Sequence, residues 1–200
     1  MKKITFTLML LLGFLYSGAQ GYQPGGKATD FELTNVDGNT VSLGSMSDAK
    51  GYIVVFTCNS CPYSVAYEDR IIALHNQYAP KGYPVVAINS NDSLVQVRDS
   101  FSAMKQRAIE KQFGFPYLLD TDQKYANIYG ATRTPHVFVL NRENNDLVVK
   151  YIGAIDNNFE FPESATEHYV SEAVEALLSG KEIITNATKA IGCSIKRKKQ

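Results

Sequence analysis

Residues 52–62 read YIVVFTCNSCP, and this stretch decides the fold class. Its first five residues are a continuous apolar, largely β-branched run, which is typical of a strand buried on both faces. Its second half places Cys58 and Cys61 with two residues between them, directly before Pro62. Beyond Pro62, apolar side chains recur at spacings near three, four and seven as far as Leu74, and this pattern predicts a helix. The two cysteines therefore lie where a buried strand turns into a helix.

The spacing of Cys58 and Cys61 suits a dithiol pair that opens and closes a disulfide. Unpaired N–H groups and the macrodipole at a helix N-terminus favour a thiolate and lower the pKa of a cysteine there below the free value of about 8.5. Because Cys58 comes first, we expect it to attack the substrate, and we expect Cys61 to be more shielded and to resolve the mixed disulfide. A structural disulfide without turnover is the alternative for this pair.

Zinc knuckles share this cysteine spacing, but they need a second pair of ligands. Scattered along the chain, the remaining candidates are His75, His136, His168 and Cys193. The absence of a second pair in the sequence favours redox chemistry over a zinc site.

The rest of the chain alternates strand and helix patterns. Residues 31–34 and 41–43 alternate apolar and polar side chains around Asp37-Gly38, which predicts a β-hairpin. Further strands are predicted at 84–88, 137–140 and 147–152. Helices are predicted at 97–113, 123–129 and 169–178, and the middle one should end at Gly130. This alternation predicts an α/β protein with a mixed central sheet and helices on both faces.

The composition is that of a globular domain with balanced charge. Hydrophobic residues make up 44% and charged residues 20% of the 200 residues, which excludes disordered and fibrous classes. Twenty basic residues balance 20 acidic ones, so no positive field draws the chain to nucleic acid. Three cysteines are too few for a disulfide scaffold.

The first 19 residues have the layout of a secretory signal peptide. A basic start precedes a mostly apolar stretch from Ile4 to Leu15, and Ser17-Gly18-Ala19 supplies small residues for cleavage. The apolar stretch is shorter than the roughly 20 residues of a membrane span. We therefore expect 1–19 to be a signal peptide, 20–26 a flexible leader, 27–180 one domain and 181–200 a tail. The mature protein is expected to be periplasmic or extracellular, with no membrane span.

Several motifs together resemble one family. Residues 26–33, GKATDFEL, and 37–43, DGNTVSL, are similar to the opening of exported thioredoxin-like redoxins. The Cys58-x-x-Cys61-Pro62 motif resembles their active site, and Thr134-Pro135 resembles the dipeptide before their next strand. Two further segments are similar to the subgroup classed with alkyl hydroperoxide reductases and thiol-specific antioxidants, namely 66–70, AYEDR, and 192–196, GCSIK. The resemblance covers about residues 26–196.

This resemblance implies a thiol-disulfide oxidoreductase with a thioredoxin-like three-layer fold over 27–180 and an N-terminal hairpin extension. Its catalytic residues would be Cys58 and Cys61, and it would need no cofactor. Pro135 would be a cis-proline facing the cysteines, and Thr134 and Pro135 would bind an extended substrate chain. The partners would be exported proteins with disulfides or dithiols, together with a further redox partner. The direction of electron flow stays open.

Two alternatives have their own residue requirements. An antioxidant peroxidase of the peroxiredoxin type surrounds its reactive cysteine with a Pro-x-x-x-Thr-x-x-Cys pattern, and neither Cys58 nor Cys61 has the required Pro or Thr before it. A copper-binding metallochaperone would use two thiolates and an imidazole, here Cys58, Cys61 and His136. Such proteins usually place their cysteines three residues apart rather than two, which makes this set the less favoured.

The chain departs from thioredoxins around the motif. Thr57 stands where a tryptophan is common, and residues 52–56 include no acid that would move protons, so the sequence does not identify the proton acceptor. Glu68 and Asp69 are expected to be solvated charges on the helix. Cys193 has two interpretations: a free or buried thiol, and an auxiliary thiol that resolves a mixed disulfide or caps a partner.

Overall fold

A computed structural model describes residues 21–198, and the expected signal peptide lies outside them. The strands are β1 Lys27–Ala28, β2 Leu33–Asn35, β3 Thr40–Val41, β4 Gly51–Phe56, β5 Val85–Asn89, β6 Tyr117–Leu119, β7 Arg133–Thr134, β8 His136–Glu143, β9 Asp146–Gly153 and β10 Cys193–Ser194. The helices are α1 Pro62–Tyr78, α2 Phe101–Glu110, α3 Lys124–Tyr129 and α4 Tyr169–Leu178. None of these helices combines the length and apolar character that crossing a membrane requires.

An eight-stranded mixed sheet lies at the centre, in the order β1-β9-β8-β4-β5-β6-β2-β3. Strand β4 runs parallel to β5, and β5 to β6, whereas β8 is antiparallel to both β4 and β9. Strands β2 and β3 form the predicted N-terminal hairpin. Strands β7 and β10 pair with each other in a separate two-stranded sheet.

Side chains alternate across the sheet and build a core on each face. Along β4, Ile53 and Val55 pack into a cluster with side chains of α1, α2 and α4. Tyr52, Val54 and Phe56 pack on the opposite face with side chains of α3 and the N-terminal hairpin. All five are fully buried, and burying each such side chain contributes about 1.5–3 kcal/mol. The predicted α/β architecture, a mixed sheet with helices on both faces, is confirmed.

Some elements differ from the sequence prediction. The helix predicted at 97–113 starts with a 3₁₀ turn, Val97–Asp99, and continues as α2 only after a break at Ser100. Ser100 is in extended conformation, and its Oγ caps α2 by accepting the Ala103 N–H at 3.4 Å. Strands β1, β6, β7 and β10 were not predicted, because two or three residues are too few to show alternation. The predicted end of α3 is confirmed, since Gly130 closes it with a φ of 77°.

Candidate active site

Strand β4 delivers the cysteine motif to one end of the sheet. The Thr57 N–H still bonds to the Ile88 carbonyl of β5 at 2.9 Å, and then the chain leaves the sheet. Helix α1 begins at Pro62, whose fixed φ and missing N–H suit the first helical position. The motif therefore spans the turn between a buried strand and a helix, as the sequence predicts.

The placement of the two cysteines differs from the sequence expectation. We expected Cys58 to lie at or just before the helix N-terminus and Cys61 to lie a turn deeper and be more shielded. Instead Cys61 is the N-cap of α1, because the helix begins only at Pro62, and Cys58 lies three residues before the N-cap. Each cysteine retains 3% exposure, so neither is the more shielded.

The buried carboxylate of Asp99 holds the loop between the cysteines, and this residue was not predicted from the sequence. The Asn59 and Ser60 N–H groups donate to Asp99 Oδ1 at 2.8 and 3.1 Å, and Ser60 Oγ donates to Oδ2 at 2.6 Å. Asn91 Nδ2 also donates to Oδ2, at 2.7 Å. Asp99 is fully buried, and four donors offset the cost of burying its charge. The sequence did not predict this role, because Asn59 and Ser60 lie about 40 positions from Asp99 in the chain.

The Thr134–Pro135 dipeptide faces the cysteines. Its peptide bond is cis, as predicted. Cys58 Sγ lies 3.3 Å from Thr134 Oγ1, and the Cys61 thiol donates to the Thr134 carbonyl at 3.1 Å. Both sulfurs therefore meet the residue that precedes the cis bond.

The third cysteine lies beside the pair. Strand β10 runs antiparallel to β7, with Cys193 opposite Thr134 and Ser194 opposite Arg133. The Cys193 N–H donates to Cys61 Sγ at 3.3 Å. Cys193 thus lies beside Cys61 although the two are 132 positions apart in the chain. The sequence held no signal for this arrangement beyond the presence of Cys193.

The interaction between Cys58 and Cys61 shifts the pKa values of the two thiols in opposite directions. The hydrogen bond from Cys58 lowers the pKa of Cys61 to about 4, with smaller contributions in the same direction from Cys193 and the Ser64 N–H. The same bond, together with burial and the nearby Asp99 charge, raises the pKa of Cys58. The Thr134 carbonyl acts in the opposite sense, because it accepts a hydrogen bond from the Cys61 thiol and would repel a thiolate there.

Glu68 is not the solvated helix charge that we expected. It is 4% exposed, and its carboxylate accepts two hydrogen bonds from Arg107, at 2.7 and 2.6 Å. The helix turns Glu68 toward α2, and together with Cys58, Thr57 and other side chains it lines a small cavity under the motif. Asp69 does point into solvent, where it pairs with Lys111 at 3.1 Å.

The alternative copper set is not assembled. His136 is 9% exposed, its ring packs against Phe138 with centroids 4.8 Å apart, and its Nδ1 accepts the Thr132 N–H at 3.4 Å. Burial lowers the pKa of His136 to about 4. Among residues 21–198, no three His, Cys, Asp or Glu side chains are grouped to hold a metal ion.

Comparison with known families settles the classification. The redoxin family model matches residues 23–169, most of the chain. The chain belongs to the redoxin family. The thiol-disulfide oxidoreductase ResA of Bacillus subtilis (strain 168) is 26% identical to this redoxin over 160 residues, which is 74% of this chain and 80% of the relative.

Solved structures confirm the thioredoxin-like fold. An uncharacterized conserved protein from Geobacillus kaustophilus superposes on this redoxin with a TM-score of 0.82 and 36% identity, over 89% of this chain and 94% of that one. A thiol:disulfide interchange protein named DsbE, from Chlorobium tepidum, has a TM-score of 0.58 at 19% identity, covering 78% of this chain and 98% of its own. At 19% identity, the similarity to the DsbE structure supports only a shared fold.

Proposed function

We propose that this redoxin is a thiol-disulfide oxidoreductase whose Cys58–Cys61 pair exchanges disulfides with exported proteins. The observation that carries the proposal is the convergence of both sulfurs on Thr134, directly before the cis bond to Pro135. Relatives named thiol-disulfide oxidoreductases support the activity class. The N-terminal layout of a signal peptide supports export of the protein and therefore exported partners.

The reaction needs only the two sulfurs of the pair. A thiolate of the reduced pair attacks one sulfur of a substrate disulfide, which forms a mixed disulfide and releases the other substrate sulfur as a thiolate. The second thiol of the pair then loses its proton and attacks the mixed disulfide. The substrate leaves as a dithiol, and the pair ends as the Cys58–Cys61 disulfide. Two electrons have moved from the protein to the substrate, and the reverse sequence oxidises a substrate.

Each neighbouring group has a role in this scheme. Thr134 and Pro135 present backbone to an extended substrate chain beside the sulfurs. Asp99 fixes the loop that separates the cysteines and therefore acts as a positioning residue. The buried placement of the pair limits reaction with solvent-borne oxidants until a substrate chain docks.

The activity is tested by reduction of insulin disulfides with a thiol donor and by titrating the pair against glutathione. We expect the unmodified protein to turn over, and we expect Cys58→Ser and Cys61→Ser each to fall to the rate without protein. Asp69→Asn, which changes an exposed side chain, is the matched control. A wild-type protein that forms no Cys58–Cys61 disulfide in the titration would refute the proposal.

The order of attack is tested by trapping the mixed disulfide. An adduct on Cys58 in the Cys61→Ser protein supports the order expected from the sequence. An adduct on Cys61 in the Cys58→Ser protein supports the order favoured by the lowered Cys61 pKa. Mass spectrometry after exposure to a disulfide peptide distinguishes them, and the absence of both adducts and of any disulfide to Cys193 counts against exchange chemistry altogether.

A further inference from the structure

Strand β10 occupies the backbone edge directly before Pro135. Cys193 pairs with Thr134, and the Ile195 N–H donates to the Thr132 carbonyl at 3.2 Å. Addition of an extended chain to a backbone edge is a common mode of peptide recognition. The C-terminal strand of the protein therefore fills the edge at which Thr134 and Pro135 would receive a substrate chain.

From this edge Cys193 reaches the cysteine pair. Its N–H donates to Cys61 Sγ at 3.3 Å. With the strand docked, Cys58 and Cys61 are each 3% exposed. A substrate disulfide therefore meets the sulfurs only after β10 has left the edge.

The docked position is specified by contacts on the C-terminal side of Cys193. Ile195 is 5% exposed and packs into the core on the α3 face of the sheet. The Lys196 N–H donates to Asn91 Oδ1 at 2.8 Å, and its carbonyl accepts the Asp92 N–H at 2.9 Å. These contacts hold Cys193 beside Cys61, so the folded structure itself brings the two residues together.

We infer that β10 is an intramolecular substrate and that Cys193 is a third redox-active thiol, which exchanges with the Cys58–Cys61 disulfide to form a Cys61–Cys193 disulfide. This inference rests on the proposed function, because it needs that pair to be oxidised in turnover.

The exchange balances without an external oxidant. Cys193 gives its thiol proton to water, and its sulfur attacks Cys61 Sγ. The Cys61–Cys193 bond forms while the Cys58–Cys61 bond breaks, and Cys58 leaves as a thiolate that takes up a proton. One disulfide and one thiol are present before and after. The protein then has a free Cys58 thiol, and the Cys61–Cys193 bond holds β10 covalently at the backbone edge before Pro135.

The first test uses the Cys58→Ser protein oxidised with glutathione disulfide, followed by acid quenching and peptide mapping by mass spectrometry. Attack by one cysteine forms a glutathione adduct, and the other cysteine displaces glutathione to close the bond. We expect a Cys61–Cys193 disulfide in most molecules. The matched Cys61→Ser protein should give about tenfold less of a Cys58–Cys193 disulfide, because Cys193 is held beside Cys61.

The second test removes docking while keeping the cysteines. A Cβ on Gly192 would lie 2.1 Å from the Thr134 carbonyl oxygen, so Gly192→Val blocks the pairing of β10 with β7. In the Cys58→Ser background it should lower the yield of the Cys61–Cys193 bond about tenfold. Ile191→Val, at an exposed neighbouring position, is the control and should leave the yield unchanged.

Two outcomes overturn the inference. One is a Cys58→Ser protein that ends with glutathione on Cys61 and a free Cys193. The other, which does not depend on the folding of any variant, is oxidised wild-type protein that contains only the Cys58–Cys61 bond. Glutathione titration of Cys193→Ser separates this failure from that of the proposed function, since a Cys58–Cys61 disulfide that forms there leaves the proposed function standing.

Discussion

The surroundings of the Cys61 sulfur set the electrostatics of the pair. The sulfur accepts the Cys193 N–H of β10 at 3.3 Å, and the hydrogen bond from Cys58 holds the pKa of Cys61 well below its ordinary value. Cys58 lies nearer to the Asp99 charge, which disfavours a second thiolate. In the reduced pair a thiolate is therefore favoured on Cys61 and disfavoured on Cys58.

The location of that charge is a prediction at the residue scale. In Cys58→Ser the new hydroxyl still donates a hydrogen bond, so Cys61 should titrate well below the free value of about 8.5. In Cys61→Ser the remaining Cys58 should titrate above Cys61. Thiolate absorbance measured against pH gives both midpoints. The reverse order would mean that the Thr134 carbonyl keeps the proton on Cys61.

Asp99 provides a second prediction at this scale. Asp99→Asn introduces an NH₂ group where Ser60 and Asn91 both donate, so a buried donor loses its partner. We expect a loss of about 1–3 kcal/mol in the free energy of unfolding, measured with urea. The pKa of Cys58 should also fall, because the Asp99 charge raises it. Asp69→Asn, at an exposed position, should change neither quantity, and equal effects from both substitutions would contradict the positioning role.

At the scale of elements, Ile195 is the apolar anchor of β10, beside the hydrogen bonds that dock the strand. Ile195→Ala should expose Cys58 and Cys61 and accelerate their alkylation, because the strand loses its buried anchor. The free energy of unfolding should fall by about 2 kcal/mol, the low end for truncating a buried Ile. Ile184→Ala, fully exposed in the same C-terminal segment, is the control. Unchanged alkylation in Ile195→Ala would show that β10 does not cover the pair.

The sequence predicted those elements whose stability depends on their own residues. Strand β4, helix α1 and the end of α3 at Gly130 follow from local patterns of apolar residues, Pro and Gly. The pairing of β10 with β7 could not be predicted, because it depends on the anchoring of Ile195 in a core formed by distant segments. The burial of Glu68 escaped prediction for the same reason, since Arg107 lies 39 residues away.

For the molecule as a whole, His136 links stability to pH. Burial lowers its pKa in the folded state to about 4, below the ordinary 6.5. Between pH 4 and pH 6.5 the unfolded chain therefore binds a proton on His136 that the folded protein does not bind. The stability that comes from burying the neutral imidazole is complete above pH 6.5 and is lost as the pH falls through 4. The loss amounts to at most about 3 kcal/mol, from 1.36 kcal/mol per pKa unit.

Urea unfolding at a series of pH values tests this linkage. His136→Gln should flatten the dependence between pH 4 and 6.5. His168→Gln, at an exposed position, should leave it as in the wild type. If the free energy of unfolding of His136→Gln depends on pH as in the wild type, other groups cause the acid sensitivity.

The central sheet ends in very short strands on both sides. Its outermost strands, β1 and β3, contain only two residues each. Free N–H and C=O groups along a long edge strand act as a template for pairing with another chain, and this is a route to aggregation. Beyond β1, the edge of β9 forms backbone hydrogen bonds with residues 25–26 and 186–188 instead. Edge-to-edge pairing between copies through β9 is therefore disfavoured.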